Sequence, residues 1–326
     1  MAAIHFLYLV LLGSIAVAAF ADNAKPGSCT RNQRKAWHNM SDSEKSAWTD
    51  AELCLMESPP KLGLEGPLNR WDELLYVHVV QSNFIHDVGA FLPWHRLFVH
   101  AHEYILQNEC NYTGGHPYWH ESLDVGAMNE SSVFDPDTGF GGEGGDCVDE
   151  GPFQHLRLHV NQTSLHDDSC LHRSFSTETF ALGGQEYVDE CMNSTTYEEA
   201  WTCFVVDPHV AGHGGVGGTM LDVVASPGDP LFFLHHANLD RLWWEWQSAN
   251  LTSRLYAISG RNVPRQTFLD ENSFDYPSAA LRDYDGDHGN VTTLNHTLWM
   301  VGVIANATIG DVMDLNGEYI CAEYVY

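Results

Sequence analysis

Two apolar segments that carry histidines at helical spacing constrain this chain more than any other feature. They run from Trp71 to Leu106 and from His209 to Trp246, and a polar stretch rich in Gly, Asp and Ser lies between them. A helix with one apolar face must bury that face against another element, so we expect the two segments to pack together in one domain. The pattern predicts a mainly α-helical fold with a four-helix core, long disulfide-tied loops and a few short strands.

The starts of these helices are indicated by capping residues and prolines. Asn69 is a good N-cap for a first helix, Pro93 suits the first turn of a second, and Asp229-Pro230 can open a third. In the C-terminal tail, short strands are expected around Val301, Val303, Ile304, Tyr319 and Tyr324.

Histidine dominates the candidate chemistry. The chain has 19 histidines, and neutral imidazole is the commonest metal ligand, suited to copper and zinc. His209 and His213 lie one turn apart on one face of a short fourth helix, so both can reach one metal. The third ligand is His235 or His236, because adjacent helical residues point about 100° apart and only one of them faces the metal.

The first segment offers a second set of ligands. A helix histidine (His78), a loop histidine (His86) and a histidine of the next helix (His95) can converge if the two helices pack antiparallel. A zinc peptidase would need a glutamate directly after His209, where this chain has Val210. A zinc hydrolase is therefore disfavoured.

Length and charge disfavour other classes of function. The chain has 326 residues and a formal net charge of −29, from 15 Lys plus Arg against 44 Asp plus Glu. Such a surface repels phosphate backbones, which argues against nucleic-acid binding. No segment after the N-terminal apolar run is apolar enough to span a bilayer, so no membrane contact is expected once that run is cleaved.

The N-terminus and the cysteines indicate export. Residues 1–21 have the pattern of a secretory signal peptide, with Ala-Phe-Ala before Asp22, so a mature domain over 22–326 is expected outside the cell. All eight cysteines follow the signal, and an even number suggests disulfides, although 105 pairings are open. Nine Asn-x-Ser/Thr sequons predict N-glycans, at Asn39, Asn111, Asn129, Asn161, Asn193, Asn250, Asn290, Asn295 and Asn306.

Two motifs resemble those of a known family. Residues 91–96 (Phe-Leu-Pro-Trp-His-Arg), with His86 nine positions before His95, resemble the first copper motif of tyrosinases, catechol oxidases and molluscan haemocyanins. Residues 226–236 (Ser-Pro-Gly-Asp-Pro-Leu-Phe-Phe-Leu-His-His), followed by Asp-Arg-Leu-Trp at 240–243, resemble the second. The short spacing from His78 to His86 is most similar to that of the short, secreted fungal members.

Carried over by position, the resemblance implies a pair of copper ions. The implied ligands are His78, His86 and His95 for the first copper and His209, His213 and His236 for the second. His235 would be a buried neighbour, and Val223 matches the gate residue above the first copper, where a small side chain leaves the entrance open. Val210 and Asp240 would lie around the ligands. Asp240 would either orient the site or form an ordinary helix ion pair with Arg241.

The resemblance also implies an activity. Members of the family use dioxygen to oxidise o-diphenols (catechols) to o-quinones, and some also hydroxylate monophenols, so the expected partners are O2 and small phenols. The alternative is a haemocyanin-like protein that binds dioxygen without turnover, which needs a covered site. The chain ends 90 residues beyond His236, so the C-terminal blocking domain of long members is expected to be absent.

Three departures from the family pattern bear on the choice of phenol. Phe84 stands where many members have a cysteine bonded to the second histidine, so no thioether is expected. Val210 replaces a common Asn or Asp, and Trp201 falls near the place of an acidic residue that helps to hold a base-like water. Monophenol hydroxylation is therefore expected to be weaker than diphenol oxidation. The remaining candidate bases are Asp222, Glu198 and Glu199.

Overall fold

The computed structural model describes residues 29–162, 164–284 and 286–326. The predicted signal peptide lies outside these residues. The described part is mainly helical, as predicted. Its α-helices are α1 (Asp42–Glu57), α2 (Arg70–Val79), α3 (Ser82–Ile85), α4 (Phe91–Glu109), α5 (Thr177–Phe180), α6 (Gln185–Met192), α7 (Tyr197–Phe204), α8 (Val210–Val216), α9 (Leu231–Ser248), α10 (Leu251–Arg254), α11 (Gln266–Glu271), α12 (Ala279–Tyr284) and α13 (Ile309–Val312). A π-helical turn, Val205–His209, joins α7 to α8.

The helix starts follow the local sequence. Asn69 caps α2 by accepting from the amide of Asp72, whose carboxylate accepts from the amide of Asn69 in return. Pro93 lies in the first turn of α4, and α9 begins directly after Pro230. The expected helix at His209 and His213 is present as the π-turn followed by the short α8, which ends at Gly217 with φ +67°.

The core is formed by the helices that carry the histidines. α4 and α9 are buried along most of their length and pack against each other, with Phe98 and Phe233 rings 5.3 Å apart. Dense apolar packing of this kind fixes the relative positions of the side chains that the helices present. In the described residues no helix has both the length and the apolar character needed to cross a membrane.

Short strands and disulfides tie the loops to this core. The strands are β1 (Asn32–Lys35), β2 (Arg157–Leu158), β3 (Ser169–Cys170), β4 (Thr297–Leu298), β5 (Ala307–Thr308) and β6 (Ala322–Val325), paired β1 with β6 in parallel and β2 with β3 and β4 with β5 antiparallel. All eight cysteines are paired, as Cys29–Cys321, Cys54–Cys110, Cys147–Cys170 and Cys191–Cys203.

The expectation of strands in the tail was only partly right. Tyr324 lies in β6, but Val301, Val303, Ile304 and Tyr319 lie in turns. Val301 has a φ of +53° and is followed by Gly302 at +92°, a left-handed pair that reverses the chain between β4 and β5. Apolar content without period-two alternation was too weak a signal to place these strands.

Asp240 joins β1 and β6 to the helical core. It accepts hydrogen bonds from Arg34 of β1 (3.2 Å), Arg96 of α4 (2.5 Å) and the hydroxyl of Tyr324 in β6 (2.7 Å). The ion pair between Asp240 and Arg241 is therefore not formed, and Arg241 bonds Asn238 and Glu245 instead. Asp240 ties α9 to α4 and to both ends of the described chain.

Candidate metal centre

Three histidines of the N-terminal half converge on one point. His78 is on the last turn of α2, His86 directly follows α3, and His95 is on the second turn of α4. Each offers one ring nitrogen, and these nitrogens all lie within 4.8 Å of one another. Nitrogens at such distances can share one ion, because a copper or zinc ligand nitrogen stands about 2 Å from the metal.

Backbone carbonyls fix the orientation of these three rings. The Nδ1–H groups of His78, His86 and His95 donate to the carbonyl oxygens of Val224 (2.8 Å), Ser82 (2.9 Å) and Phe91 (2.8 Å). A carbonyl can only accept, so the proton is on Nδ1 and the lone pair is on Nε2. The buried Nε2 atoms of His78 and His95 have no partner in the protein.

A second group contains four histidines. His209 ends the π-turn, His213 is on α8, and His235 and His236 are on α9; again one nitrogen of each lies within 4.8 Å of the others. The Nε2 atoms of His213 and His236 are 3.1 Å apart, close to the separation of two nitrogens that bind one ion. The Nδ1–H of His213 donates to the carbonyl of Met220 (2.5 Å).

His235 differs from the other three because a carboxyl group holds it. Burial raises the pKa of Glu121 well above its usual range and lowers the pKa of His235 to about 3. A hydrogen bond of 2.5 Å joins Nδ1 of His235 to Oε1 of Glu121, and the other carboxyl oxygen, Oε2, accepts from the amide of Asn238 (3.3 Å). The Nδ1 atom of His235 is therefore occupied by Glu121, whereas Nε2 of His236 faces Nε2 of His213 at 3.1 Å.

The two groups of histidines adjoin. The rings of His95 and His236 stack with centroids 4.3 Å apart and planes inclined by 12°. The ring of Phe91 lies between the groups, 4.4 Å from the His95 ring and 4.8 Å from the His209 ring. The arrangement can therefore hold two metal ions side by side.

Burial keeps the imidazoles neutral. It lowers the pKa of His86 to about 4 and the pKa of five other rings well below the usual value, namely His78, His95, His209, His213 and His236. Neighbouring histidines lower the pKa of most of these rings further. Neutral imidazoles with unpartnered lone pairs fit copper, since imidazole binds both of its common oxidation states.

One cavity opens onto both groups. Its volume is about 110 Å³, and it is lined by His86 from the first group and by His209 and His213 from the second, together with Val210, Gly214, Met220, Leu221, Val223 and Ser226. Val223 and Val210 are both among the residues that line this cavity.

The three candidate bases do not line this cavity, and Phe84, which stands where many family members have a cysteine, packs against another ring. Asp222 accepts from the amides of Val224 and Ala225, and Glu199 caps α7. Neither these carboxylates nor Glu198 is among the described residues that line the cavity. Phe84 is buried and stacks against His296, with ring centroids 6.0 Å apart.

Several residues of this centre carry no signal in the sequence. Glu121 and the carbonyls of Met220 and Val224 approach the histidines only through the tertiary fold. Gly212 could have been noticed within the glycine-rich stretch after His209; a Cβ there would lie 2.1 Å from Nδ1 of His235. A further cluster, Cys191, Cys203 and Asp207, is a disulfide beside a carboxylate and offers no thiolate.

Comparisons of the sequence and of the structure with known proteins agree with one another. The model of the common central domain of tyrosinase matches residues 68–249, more than half of the chain. The tyrosinase ustQ of Aspergillus flavus is 30% identical over 308 residues, covering 89% of this chain and 78% of that protein. A variant of the polyphenol oxidase of Thermothelomyces thermophila superposes with a TM-score of 0.75 at 25% identity, covering 91% of this chain and 89% of that one. A functional unit of octopus haemocyanin shares the fold, with a TM-score of 0.59 at 18% identity, over 90% of this chain and 68% of that one.

Proposed function

This chain belongs to the tyrosinase family, and from that premise we propose that it oxidises o-diphenols to o-quinones with dioxygen at two copper ions. The proposed ligands are His78, His86 and His95 for one ion and His209, His213 and His236 for the other. The observation that carries the proposal is the pair of adjoining histidine groups beneath one cavity.

Contacts around the site orient these ligands before the metal binds. Bound copper would supply the exchange of two electrons between the diphenol and dioxygen. In four of the six ligands, His78, His86, His95 and His213, an Nδ1–H bond to a backbone carbonyl directs Nε2 inward, so these rings need little reorganisation when the metal binds. Val210, Leu221 and Val223 give the substrate an apolar path to the ligands.

Diphenol oxidation is proposed as the main reaction because no base is in place for the monophenol. A phenol has a pKa of about 10, like tyrosine, and general-base help is typically worth about 10²–10⁴ in rate. The cavity lining within the described residues contains no carboxylate, and Val210 occupies the position of a polar residue in other members. A monophenol must therefore give up its proton unaided.

A paired assay tests this function. Copper-loaded protein should oxidise 4-methylcatechol rapidly and 4-methylphenol slowly or after a lag. Val210→Asn should raise the monophenol rate relative to the diphenol rate by about tenfold, because the amide can hold a water near the second ion. Val206→Asn is the control, since Val206 is also exposed on this helical segment but does not line the cavity. Equal turnover of both substrates by the unaltered protein would refute the diphenol preference, and turnover of neither would refute the enzyme.

The open cavity favours an enzyme over a dioxygen carrier. Leu221 at the entrance is 63% exposed, so solvent and small phenols reach the site in the described structure. A carrier depends on a covered site to prevent turnover.

Export from the cell is part of the proposal. Four disulfides suit an oxidising compartment, and the asparagines of eight of the nine sequons are exposed, Asn161 being half-buried. We expect the mature domain to begin near Asp22. N-terminal sequencing of the protein from culture medium, and its mass before and after glycosidase treatment, test both points.

A further inference from the structure

The cavity above the histidines has room for one aromatic ring. Its volume of about 110 Å³ is smaller than the buried apolar cavity of about 150 Å³ that accepts benzene, but it opens to solvent beside Leu221, which is 63% exposed, so the far edge of a ring can protrude. If a catechol ring occupies this space with its hydroxyl groups toward the histidines, any substituent on the far side of the ring must lie at the rim.

The rim is apolar. Leu221 is 63% exposed and Val210 is 38% exposed, and Val223 completes the opening. The turn that presents Leu221 and Val223 is held by the carboxylate of Asp222, whose Oδ1 accepts from the amides of Val224 (2.8 Å) and Ala225 (3.1 Å). A substituent on the bound ring would meet fixed hydrocarbon surface rather than mobile polar side chains.

Among the described residues, this rim presents no cationic side chain to a carboxylate. No Lys or Arg is among the described residues that line the cavity. Arg261 and Arg265 lie near the His86 loop, but both form ion pairs with Asp87. The net charge of −29 adds a long-range repulsion of anions.

Resting on the proposed function, we propose that the rim formed by Val210, Leu221 and Val223 selects single-ring catechols with an uncharged, apolar substituent and rejects those with a carboxylate. The carboxylate would lose hydration against hydrocarbon without gaining a partner, while a methyl group would gain apolar contact. Leu221 is the residue most exposed to the substituent and is the specificity-determining position.

Binding without turnover tests the selection separately from the activity. Protein loaded with copper(I) under anaerobic conditions is titrated with 4-methylcatechol and with 3-(3,4-dihydroxyphenyl)propionate, and the dissociation constants are measured by ligand-observed NMR. We expect 4-methylcatechol to bind at least about tenfold more tightly. Equal dissociation constants would overturn the inference.

Two variants that each add one positive charge distinguish an effect of the rim from an effect of the protein's net charge. Leu221→Arg should bring the two dissociation constants together, because it places a cation beside the carboxylate. Leu251→Arg is the matched control: Leu251 is also exposed (46%), on α10 outside the cavity lining, and its substitution changes the net charge equally. If Leu251→Arg narrows the difference as much as Leu221→Arg, the rim is not the selecting element and the inference fails. If selective binding is found but air produces no quinone, the inference stands and the proposed oxidase activity fails.

Discussion

At the scale of single residues, two adjacent histidines on α9 meet different surroundings. His235 is held by the buried carboxyl group of Glu121, while Nε2 of His236 lies 3.1 Å from Nε2 of His213. We therefore predict that His236→Ala loses about one of two copper ions per chain. His235→Gln should keep both, because the side-chain amide can still form a hydrogen bond with Glu121. Copper content by mass spectrometry decides between them, and loss of copper from the His235 variant alone would show that the wrong neighbour was chosen.

Gly212 provides the space that this arrangement needs. A Cβ at Gly212 would lie 2.1 Å from Nδ1 of His235, so an alanine must displace either the His235 ring or α8. Gly212→Ala should weaken binding of the copper on the His209 side and leave the other copper in place. Gly145→Ala is the control, since a Cβ there meets nothing within 4 Å. The copper content of each variant is measured after dilution or after exposure to a weak chelator. If Gly212→Ala then retains both copper ions, this prediction is wrong.

At the scale of elements, the segment 220–224 connects the two halves of the centre. The carbonyl of Met220 orients His213 and the carbonyl of Val224 orients His78, and the side chains between them form the rim. Asp222 stabilises this segment by accepting from the amide of Val224 and from that of Ala225, which directly follows the segment. The segment thus couples metal binding to the shape of the entrance.

Removing that support should affect both copper ions. Asp222→Ala is predicted to cost about 1 kcal/mol of stability, as other lost caps of exposed amides do, and to speed copper loss from both positions. Asp222→Asn should behave like the unaltered protein, because its amide oxygen still accepts from the two N–H groups. Asp50→Ala, an exposed position on α1, controls for the lost charge. Copper release to a chelator, followed over time, gives the comparison; loss from one position only would argue against a shared support.

Elements with a strong local signal could be predicted from the sequence, and contacts made by distant parts of the chain could not. Asn69, Pro93 and Pro230 lie at the helix starts expected of them because capping and proline geometry are local. The six proposed ligands were chosen by spacing and motif, and the structure brings them into two groups. Glu121 approaches His235 from 114 positions away, and no spacing rule could have paired them.

At the scale of the whole molecule, the two ends of the described chain close over the core. β1 and β6 pair in parallel, Arg34 is fully buried, and it bonds Glu103 (2.8 Å) and Asp240 (3.2 Å). Breaking such a buried ion pair by removing one partner typically costs about 3–5 kcal/mol. Because Arg96 next to His95 shares Asp240, the closure of the chain ends and the placement of the metal helices depend on the same carboxylate.

The Cys29–Cys321 disulfide adds a covalent closure to this contact. It spans 292 positions, so it restricts a very long loop of the unfolded chain, and the loss of chain entropy destabilises the unfolded state by about 5–6 kcal/mol. We predict that Cys29→Ser/Cys321→Ser lowers the free energy of unfolding by about that amount without loss of copper at 25 °C, because β1 and β6 remain paired through backbone and Arg34 contacts. Cys147→Ser/Cys170→Ser, which opens a loop of only 23 positions, should cost roughly 2 kcal/mol less. Denaturant titrations of both variants under non-reducing conditions give the two values. If both variants lose the same free energy of unfolding, native contacts rather than loop length set the contribution of each disulfide. Copper loss in the first variant would mean that the Cys29–Cys321 disulfide also keeps the histidine-bearing helices in place.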